Sequence, residues 1–166
     1  MKTFKEIVRR VLSFHLYFGA LLAVVIHALW GRKSWWVDGV FVTELHPDSW
    51  PMRTWYKPWG GTCFGYGIML APEMPTYTLM HELVHTKQLE SASAGGFLLG
   101  LICSVVTLNV LPLVVCWLMT GVLVYAGGSL ISFFRGESNA YRYNHLEEAA
   151  RAVGEQMDAA AIANSK

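Results

Sequence analysis

An uncharged stretch over residues 91–134 constrains the fold more than any other feature of this sequence. A helix needs about 20 apolar residues to cross the ~30 Å hydrocarbon core of a bilayer. The stretch is too long for one crossing and suits two, with a break at Asn109 and Pro112, since asparagine favours turns and proline interrupts helices. We expect a helical hairpin with arms at 96–108 and 113–133, which spans the membrane or, because its first arm is short, is re-entrant or packs on the protein.

A second apolar segment, residues 11–31, lies near the N-terminus and contains no Asp, Glu, Lys or Arg. Cationic residues precede it, and tryptophans with further cations follow it, as at the ends of membrane spans. We interpret it as a retained N-terminal anchor. A cleavable signal peptide is the alternative, but the segment is long for one and no small-x-small cleavage site follows. Composition agrees with a membrane protein, since charged residues make up 15% of the chain against about 25% in ordinary soluble domains.

The chain is expected to form one domain, because it has 166 residues and no linker rich in Pro, Gly or Ser. The net charge of +1 decides nothing about partners, but the lack of a basic run argues against nucleic acid. The cysteines are three in number, and two lie in the apolar hairpin, which argues against a disulfide framework. The expected organisation is the anchor at 11–31, a strand region and motif helix at 32–90, the hairpin at 91–134 and a last helix with its tail at 135–166.

The chemistry lies in the motif His81-Glu82-Leu83-Val84-His85, within a stretch that has no Gly or Pro and follows Pro75. On a helix, residues i and i+4 lie on the same face, so His81 and His85 can bind one metal ion. Glu82 then reaches a water and not the metal. This is the H-E-x-x-H pattern of zinc hydrolases, in which the metal activates water and the glutamate takes its proton and later passes it to the leaving group.

A third metal ligand is needed, because a catalytic zinc commonly has three protein ligands and one open position. Gln88 and Ser91 occupy the positions of Gly and His in the extended motif H-E-x-x-H-x-x-G-x-x-H, so this form does not apply. Glu90 on the same helix is expected to point away. Glu137 is the candidate, since it begins a helical stretch after the hairpin, and a hairpin returns the chain to the membrane face that it left.

The sequence favours ordinary roles for the remaining acidic residues and histidines around this motif. Glu147 and Glu148 precede Arg151 by three or four residues, which predicts a solvated helix face with salt bridges. His145 is either a group that supports a ligand or a surface histidine. His46, before Pro47, either approaches the site or, as the commoner case, lies in a turn.

The segment HELVHTKQ, followed by a later E-x-x-A in ESNAY (Glu137 to Tyr141), resembles the gluzincin metallopeptidases. The order of anchor, motif helix, apolar hairpin and glutamate helix is similar to the HtpX and CAAX-prenyl-protease type of membrane metallopeptidase. The resemblance covers roughly residues 60–145. It implies that His81, His85 and Glu137 bind zinc and that Glu82 is the general base and acid.

The resemblance also implies a strand before the motif helix to which a peptide substrate adds as a further strand. Residues 62–70 are the candidate, and an ordinary edge strand is the alternative. Many relatives have an acidic residue after the alanine of E-x-x-A, whereas this chain has Tyr141 there. Tyr141 lies four residues after Glu137, so it either donates a hydrogen bond to the developing oxyanion or packs through its ring.

Five tryptophans over residues 31–60 indicate an aromatic belt at a membrane interface, or less commonly an aromatic substrate groove. We therefore predict a mainly α-helical, membrane-embedded fold with a small β-element before the motif helix. The predicted function is a Zn²⁺-dependent endopeptidase of a bacterial inner membrane, or of a host membrane if the gene is carried by a phage. Its expected partners are membrane lipid, a protein or peptide substrate, and a partner protein or second copy of the chain. The alternatives are a non-enzymatic membrane protein of a larger assembly with a structural zinc site, and a hydrolase of lipids or other esters.

Overall fold

The computed structural model describes residues 3–57, 60–134 and 144–164. It is mostly helical (69%) and contains a small mixed sheet of four strands. This agrees with the prediction of a mainly α-helical fold with a small β-element. The elements in chain order are α1 (Phe4–Leu12), a 3₁₀ turn (Phe14–Leu16), α2 (Tyr17–Trp30), β1 (Gly31–Val37), β2 (Val40–Leu45), α3 (Trp50–Thr54), β3 (Gly61–Cys63), β4 (Gly67–Leu70), α4 (Thr76–Thr107), α5 (Leu111–Phe134) and α6 (His145–Asn164).

The chain contains two compact units, each discontinuous in sequence. The apolar unit comprises Met1–His15 and Lys87–Glu148, and the sheet unit comprises Leu16–Thr86 and Ala149–Lys166. Helices α4 and α6 each contribute residues to both units.

The sheet has the strand order β1-β2-β4-β3, so β2 and β4 are central and β1 and β3 are edges. The β1–β2 turn is Asp38-Gly39, and both residues have positive φ (50° and 78°), as this dipeptide favours in tight hairpins. Strand β2 pairs with β4 in parallel, and β3 pairs with β4 antiparallel. The predicted single strand over 62–70 is therefore two strands, because Gly65 at φ 85° reverses the chain between them.

The core of the sheet unit forms where α2 covers the central strands. Its buried side chains include Ala20 and Ala23 of α2, and Leu79 and Leu83 of α4 pack against the same cluster. The first turns of α4 thus pack against the sheet. The strand residues of this cluster are Val40, Phe41, Val42, Ile68 and Leu70, with Tyr66 from the β3–β4 turn.

The N-terminal apolar segment is not one continuous helix, contrary to the expectation for 11–31. Helix α1 begins with a capping box, in which Thr3 and Glu6 satisfy each other's backbone N–H groups. It ends at Leu12 and is capped by the buried Ser13, whose hydroxyl donates to the Arg9 carbonyl at 2.8 Å. A 3₁₀ turn over Phe14–Leu16 then leads into α2.

The predicted hairpin is formed by α4 and α5, with its break at 108–110. Leu108 has a left-handed φ of 50°, and the Asn109 side chain accepts a hydrogen bond from the N–H of Leu111 at 2.9 Å. The first arm is not a separate short helix, because the 32-residue α4 runs unbroken from the histidine motif to the turn. Among the described residues, α4 and α5 are long and apolar enough to cross a membrane, and α1 with α2 make a third candidate if the bent pair is one span.

Candidate metal centre

The two motif histidines lie on the first half of α4, where the chain has neither Gly nor Pro from Thr76 to Ala94. Their Nε2 atoms are 3.1 Å apart, and the rings meet edge to face with centroids 4.7 Å apart. His85 is buried, and His81 is half-buried. The i, i+4 spacing therefore brings both imidazoles to one point, as the motif predicts.

The third residue of the candidate group is Glu147. One ligand atom from each of His81, His85 and Glu147 lies within 4.8 Å of the other two, so the three residues could hold a metal ion. Glu147 is 4% exposed, and its carboxylate accepts a hydrogen bond from the Tyr125 hydroxyl. The prediction that Glu147 lies on a solvated face is wrong, because the spacing to Arg151 says nothing about which side of α6 is covered.

The start of α6 is held by a network within the apolar unit. The Asn144 side-chain oxygen accepts from the N–H of Leu146 at 3.0 Å and caps the helix. The Asn144 amide nitrogen donates to the Tyr125 carbonyl at 3.0 Å and lies 3.1 Å from the Ser129 hydroxyl. A fourth contact comes from α4, because the Gln88 amide donates to the Leu146 carbonyl at 3.0 Å. These contacts leave the first turn of α6 little freedom to rotate about its own axis.

The sheet unit contains a second close approach of α6 to α4. A Cβ atom added at Gly154 would lie 2.7 Å from the Tyr77 ring, closer than real Cβ contacts allow. Glycine is thus needed at this position for the two helices to come so near. Tyr77 is one helical turn before His81, with ring centroids 6.3 Å apart.

Glu82 is 6% exposed and lies under the edge strand β3. A Cβ atom added at Gly61 would lie 2.8 Å from both Cγ and Oε1 of Glu82, so the strand backbone rests directly on this carboxylate. The glutamate of the motif is therefore covered by main chain.

The outer edge of β3 carries main-chain donors. The N–H of Ala71 donates to the Gly60 carbonyl at 2.9 Å, and the N–H of Phe64 donates to the Gly67 carbonyl at 2.7 Å. The even-numbered residues of this segment therefore pair with β4, and alternation points the N–H groups of Gly61 and Cys63 to the other side. In the part of the chain that the structure describes, the sheet ends at β3.

Cys63 lies beside Glu82 at this edge. Its sulfur is 3.3 Å from the Thr86 hydroxyl and donates to the Gly65 carbonyl at 3.4 Å. Burial raises the pKa of the Cys63 thiol to about 12, and the nearby Glu82 carboxylate adds to the rise. The thiol is therefore protonated at neutral pH, and we assign it no role as a metal ligand or nucleophile.

The predicted ligand Glu137 and the predicted oxyanion donor Tyr141 lie outside the described residues. The sequence does contain a signal for Glu147. The spacing E-x-x-A, which the resemblance to gluzincins places at Glu137, recurs as Glu147-Glu148-Ala149-Ala150. Ala150 is fully buried, so this second match carries a small residue at a packed position of α6.

The other histidines considered from the sequence lie elsewhere. His46 is in a turn and accepts a hydrogen bond from the N–H of Asp48 at 3.2 Å, as expected for a loop histidine. His145 is exposed at the first position of α6. Within the described ranges, neither belongs to the group that could hold a metal. Glu90 points away from the motif histidines, as predicted, and pairs with Arg9 at 3.2 Å.

No protein-family model, curated protein or solved structure matches this chain.

Proposed function

We propose that this chain is a zinc-dependent endopeptidase that hydrolyses peptide bonds at a membrane. The observation that supports the proposal most strongly is the convergence of His81, His85 and Glu147 to within 4.8 Å, with the buried Glu82 next to the first histidine. A motif found by chance on a surface helix would not be expected to have a buried carboxylate from another helix within reach of both imidazoles.

Zinc is the metal that fits these donors best. Two imidazoles and one carboxylate are the ligands of one common class of catalytic zinc site. Ligand atoms that each lie about 2.0–2.1 Å from a tetrahedral zinc are about 3.3 Å apart, close to the 3.1 Å between the two Nε2 atoms. Three protein ligands leave a fourth position open, which favours a catalytic over a structural role.

A zinc ion at this position would polarise the scissile carbonyl and lower the pKa of a water to around 7. Glu82 would accept the proton of that water and deliver it to the nitrogen of the leaving amine. Burial of Glu82 under β3 supports this role, because a carboxylate away from bulk solvent keeps a fixed position relative to the reacting atoms.

The open edge of β3 is the proposed binding place for the peptide. A substrate strand beside it would accept hydrogen bonds from the N–H groups of Gly61 and Cys63, as in other cases of strand addition. Because Gly61 rests on Glu82, a peptide paired with β3 would pass close to this carboxylate. The same carbonyl chemistry applies to esters, so a lipid or other ester is the competing substrate class.

The membrane location is proposed from α4 and α5. Residues 91–107 of α4 are uncharged and measure about 25 Å along a helix, and the 24 residues of α5 are uncharged throughout. His85 precedes Glu90, the last charged residue before this apolar length, by five residues or about 7.5 Å of helix. The metal ligands on α4 would thus lie just outside the hydrocarbon core.

The test is to measure zinc content and cleavage of casein or a peptide library by the detergent-purified wild type, Glu82→Gln and the control Glu148→Gln. We expect one zinc per chain in all three proteins and loss of cleavage in Glu82→Gln alone. Zinc in all three without cleavage in any would support the non-enzymatic alternative, in which the ion joins two helices. A wild type without zinc would overturn the proposal.

A further inference from the structure

We propose that the N-terminal apolar segment, α1 and α2, does not cross the bilayer but lies along its surface, with the outer faces of both helices in the lipid interface. The partner of this surface is therefore a lipid bilayer. The proposal does not depend on the metal chemistry. It differs from a transmembrane anchor, which residues 11–31 predict from length and apolarity alone.

Helix α2 has two apolar faces of different kinds. The inner face has small residues, among them Gly19, Ala20 and Ala23, which are buried in the sheet unit. The outer face is large and exposed, with residues at spacings of three, four and seven that lie on one side of a helix. Its members and their exposed fractions are Phe18 74%, Leu21 60%, Leu22 45%, Val25 48% and Leu29 61%.

The sheet accompanies α2 along its whole length, which is about 21 Å for 14 residues. At the beginning of α2, the Leu16 carbonyl accepts from the N–H of Tyr66 at 3.1 Å. In the last turn, the His27 imidazole is 3.1 Å from the Thr43 hydroxyl. At its end, the Trp30 carbonyl accepts from the N–H of His46 at 2.8 Å. A bilayer that enclosed α2 would therefore enclose the sheet as well.

An open sheet cannot lie in hydrocarbon, because the unpaired main-chain groups at its edges would have no partner there. Strand β1 is an edge of the sheet and carries the exposed residues Arg32, Lys33 and Ser34. Transfer of such side chains to the bilayer centre costs at least about 2.5 kcal/mol each for Arg and Lys. If α2 crossed the bilayer, the edge groups of the sheet and the charged side chains of β1 would lie in hydrocarbon. A position of α2 along the surface leaves the sheet in water.

Helix α1 has the form of an interfacial helix in its own right. Phe4, Ile7, Val8 and Val11 lie on one side, and all four are exposed. The opposite side carries Arg9 and Arg10, which pair with the buried Glu90 of α4 at 3.2 and 3.8 Å within the apolar unit. An amphipathic helix of this kind buries its apolar side about 5–10 Å into the headgroup region.

Aromatic and cationic groups around this surface favour a lipid interface over a second protein chain. Trp36 and Trp50 are more than half exposed. The Trp50 ring lies tilted against the ring of Trp30, the last residue of α2, with centroids 6.2 Å apart. Lys5 and Lys33 are exposed cations on the same N-terminal segment and the strand after it. Tryptophan and lysine at this density are typical of the headgroup region of membranes.

The first experiment determines on which side of the membrane the two ends of the segment lie. In a variant whose three native cysteines are replaced by alanine, Lys5→Cys and Lys33→Cys are tested with an impermeant maleimide on spheroplasts and on inverted vesicles. We expect both positions to react in the same preparation and neither in the other. Reaction of the two positions in opposite preparations would mean that the segment crosses, and would overturn the proposal.

The second experiment identifies what covers the outer face. A fluorophore at Leu21→Cys or Ile7→Cys in reconstituted full-length protein is quenched with nitroxide lipids labelled at shallow or deep positions. We expect shallow labels to quench both positions at least about twofold more strongly than deep labels, with Lys5→Cys quenched instead by aqueous iodide. Lack of lipid quenching, together with energy transfer between copies, would show that a second chain covers the face and would refute the proposal.

Discussion

Tyr125 donates a hydrogen bond to the carboxylate of Glu147, the acidic member of the group that could hold a metal. The tyrosine lies on the apolar helix α5, and its own backbone carbonyl accepts from the side chain of Asn144, which caps α6. One residue of α5 thus contacts both the proposed ligand and the cap that orients its helix. Partners of this kind fix the direction of a ligand and tune its basicity.

Removal of the Tyr125 hydroxyl should weaken metal binding without abolishing it. We expect Tyr125→Phe to raise the zinc dissociation constant about 10–100-fold, measured by competition with a chromophoric chelator. Tyr17→Phe is the matched control, because that residue is exposed and belongs to neither the metal group nor the Asn144 network. Equal affinity in wild type and Tyr125→Phe would show that the hydrogen bond does not position the ligand.

Substitution of the proposed third ligand distinguishes Glu147 from Glu137, which has the same E-x-x-A spacing. We expect Glu147→Gln to lose zinc at concentrations that saturate the wild type, because a neutral amide is a poor substitute for a carboxylate ligand. Glu148→Gln, whose side chain is exposed, should bind as the wild type does. Glu137→Gln belongs in the same titration, and loss of zinc in that variant with retention in Glu147→Gln would assign the ligand to Glu137.

The contact between Gly61 and Glu82 predicts a defect in turnover that leaves the metal in place. The methyl group of Gly61→Ala would lie 2.8 Å from the Glu82 carboxylate and must displace it or the strand. We expect peptide cleavage to fall by about tenfold or more while zinc content stays at one per chain. Gly95→Ala is the control, since a Cβ there meets nothing within 4 Å, and a full-rate Gly61→Ala enzyme would contradict the proposed role of β3.

Cys63 should resist alkylation at mildly alkaline pH. Its pKa is raised from an ordinary 9.0 to about 12, so the thiolate fraction at pH 8 falls about a thousandfold and the rate with iodoacetamide falls with it. Mass spectrometry of the Cys63 peptide, before and after unfolding in guanidinium, measures the difference. Rapid modification of the folded protein would contradict the burial of this thiol.

The raised pKa of Cys63 also predicts that the stability of the fold decreases at alkaline pH. The folded state holds the Cys63 proton more tightly than the unfolded chain does. The contribution of the protonated thiol to the free energy of unfolding is therefore complete below pH 9 and is lost as the pH rises from 9 towards 12. Cys63→Ser, with a hydroxyl that does not titrate in this range, should lack that part of the alkaline loss. Thermal unfolding at pH 8 and pH 10.5 compares the two proteins.

Local sequence patterns were sufficient to predict several features of the fold. The break between α4 and α5 lies where Asn109 and Pro112 predicted it, because turn residues act on their own backbone. The convergence of His81 and His85 also follows from helix geometry alone. By contrast, Gly65 divides the predicted strand over 62–70, since a single residue at positive φ reverses the chain without changing the β-favouring composition around it.

The sequence by itself determined that His81 and His85 converge on α4, because their spacing and the helical period are both local properties. Only the tertiary structure decided that Glu147 is buried, since the salt-bridge spacing to Arg151 fits a covered and a solvated helix face equally well. It also decided that α2 lies against a sheet over its whole length. Length and apolarity describe a helix, whereas what covers each of its faces depends on strands far away in the chain.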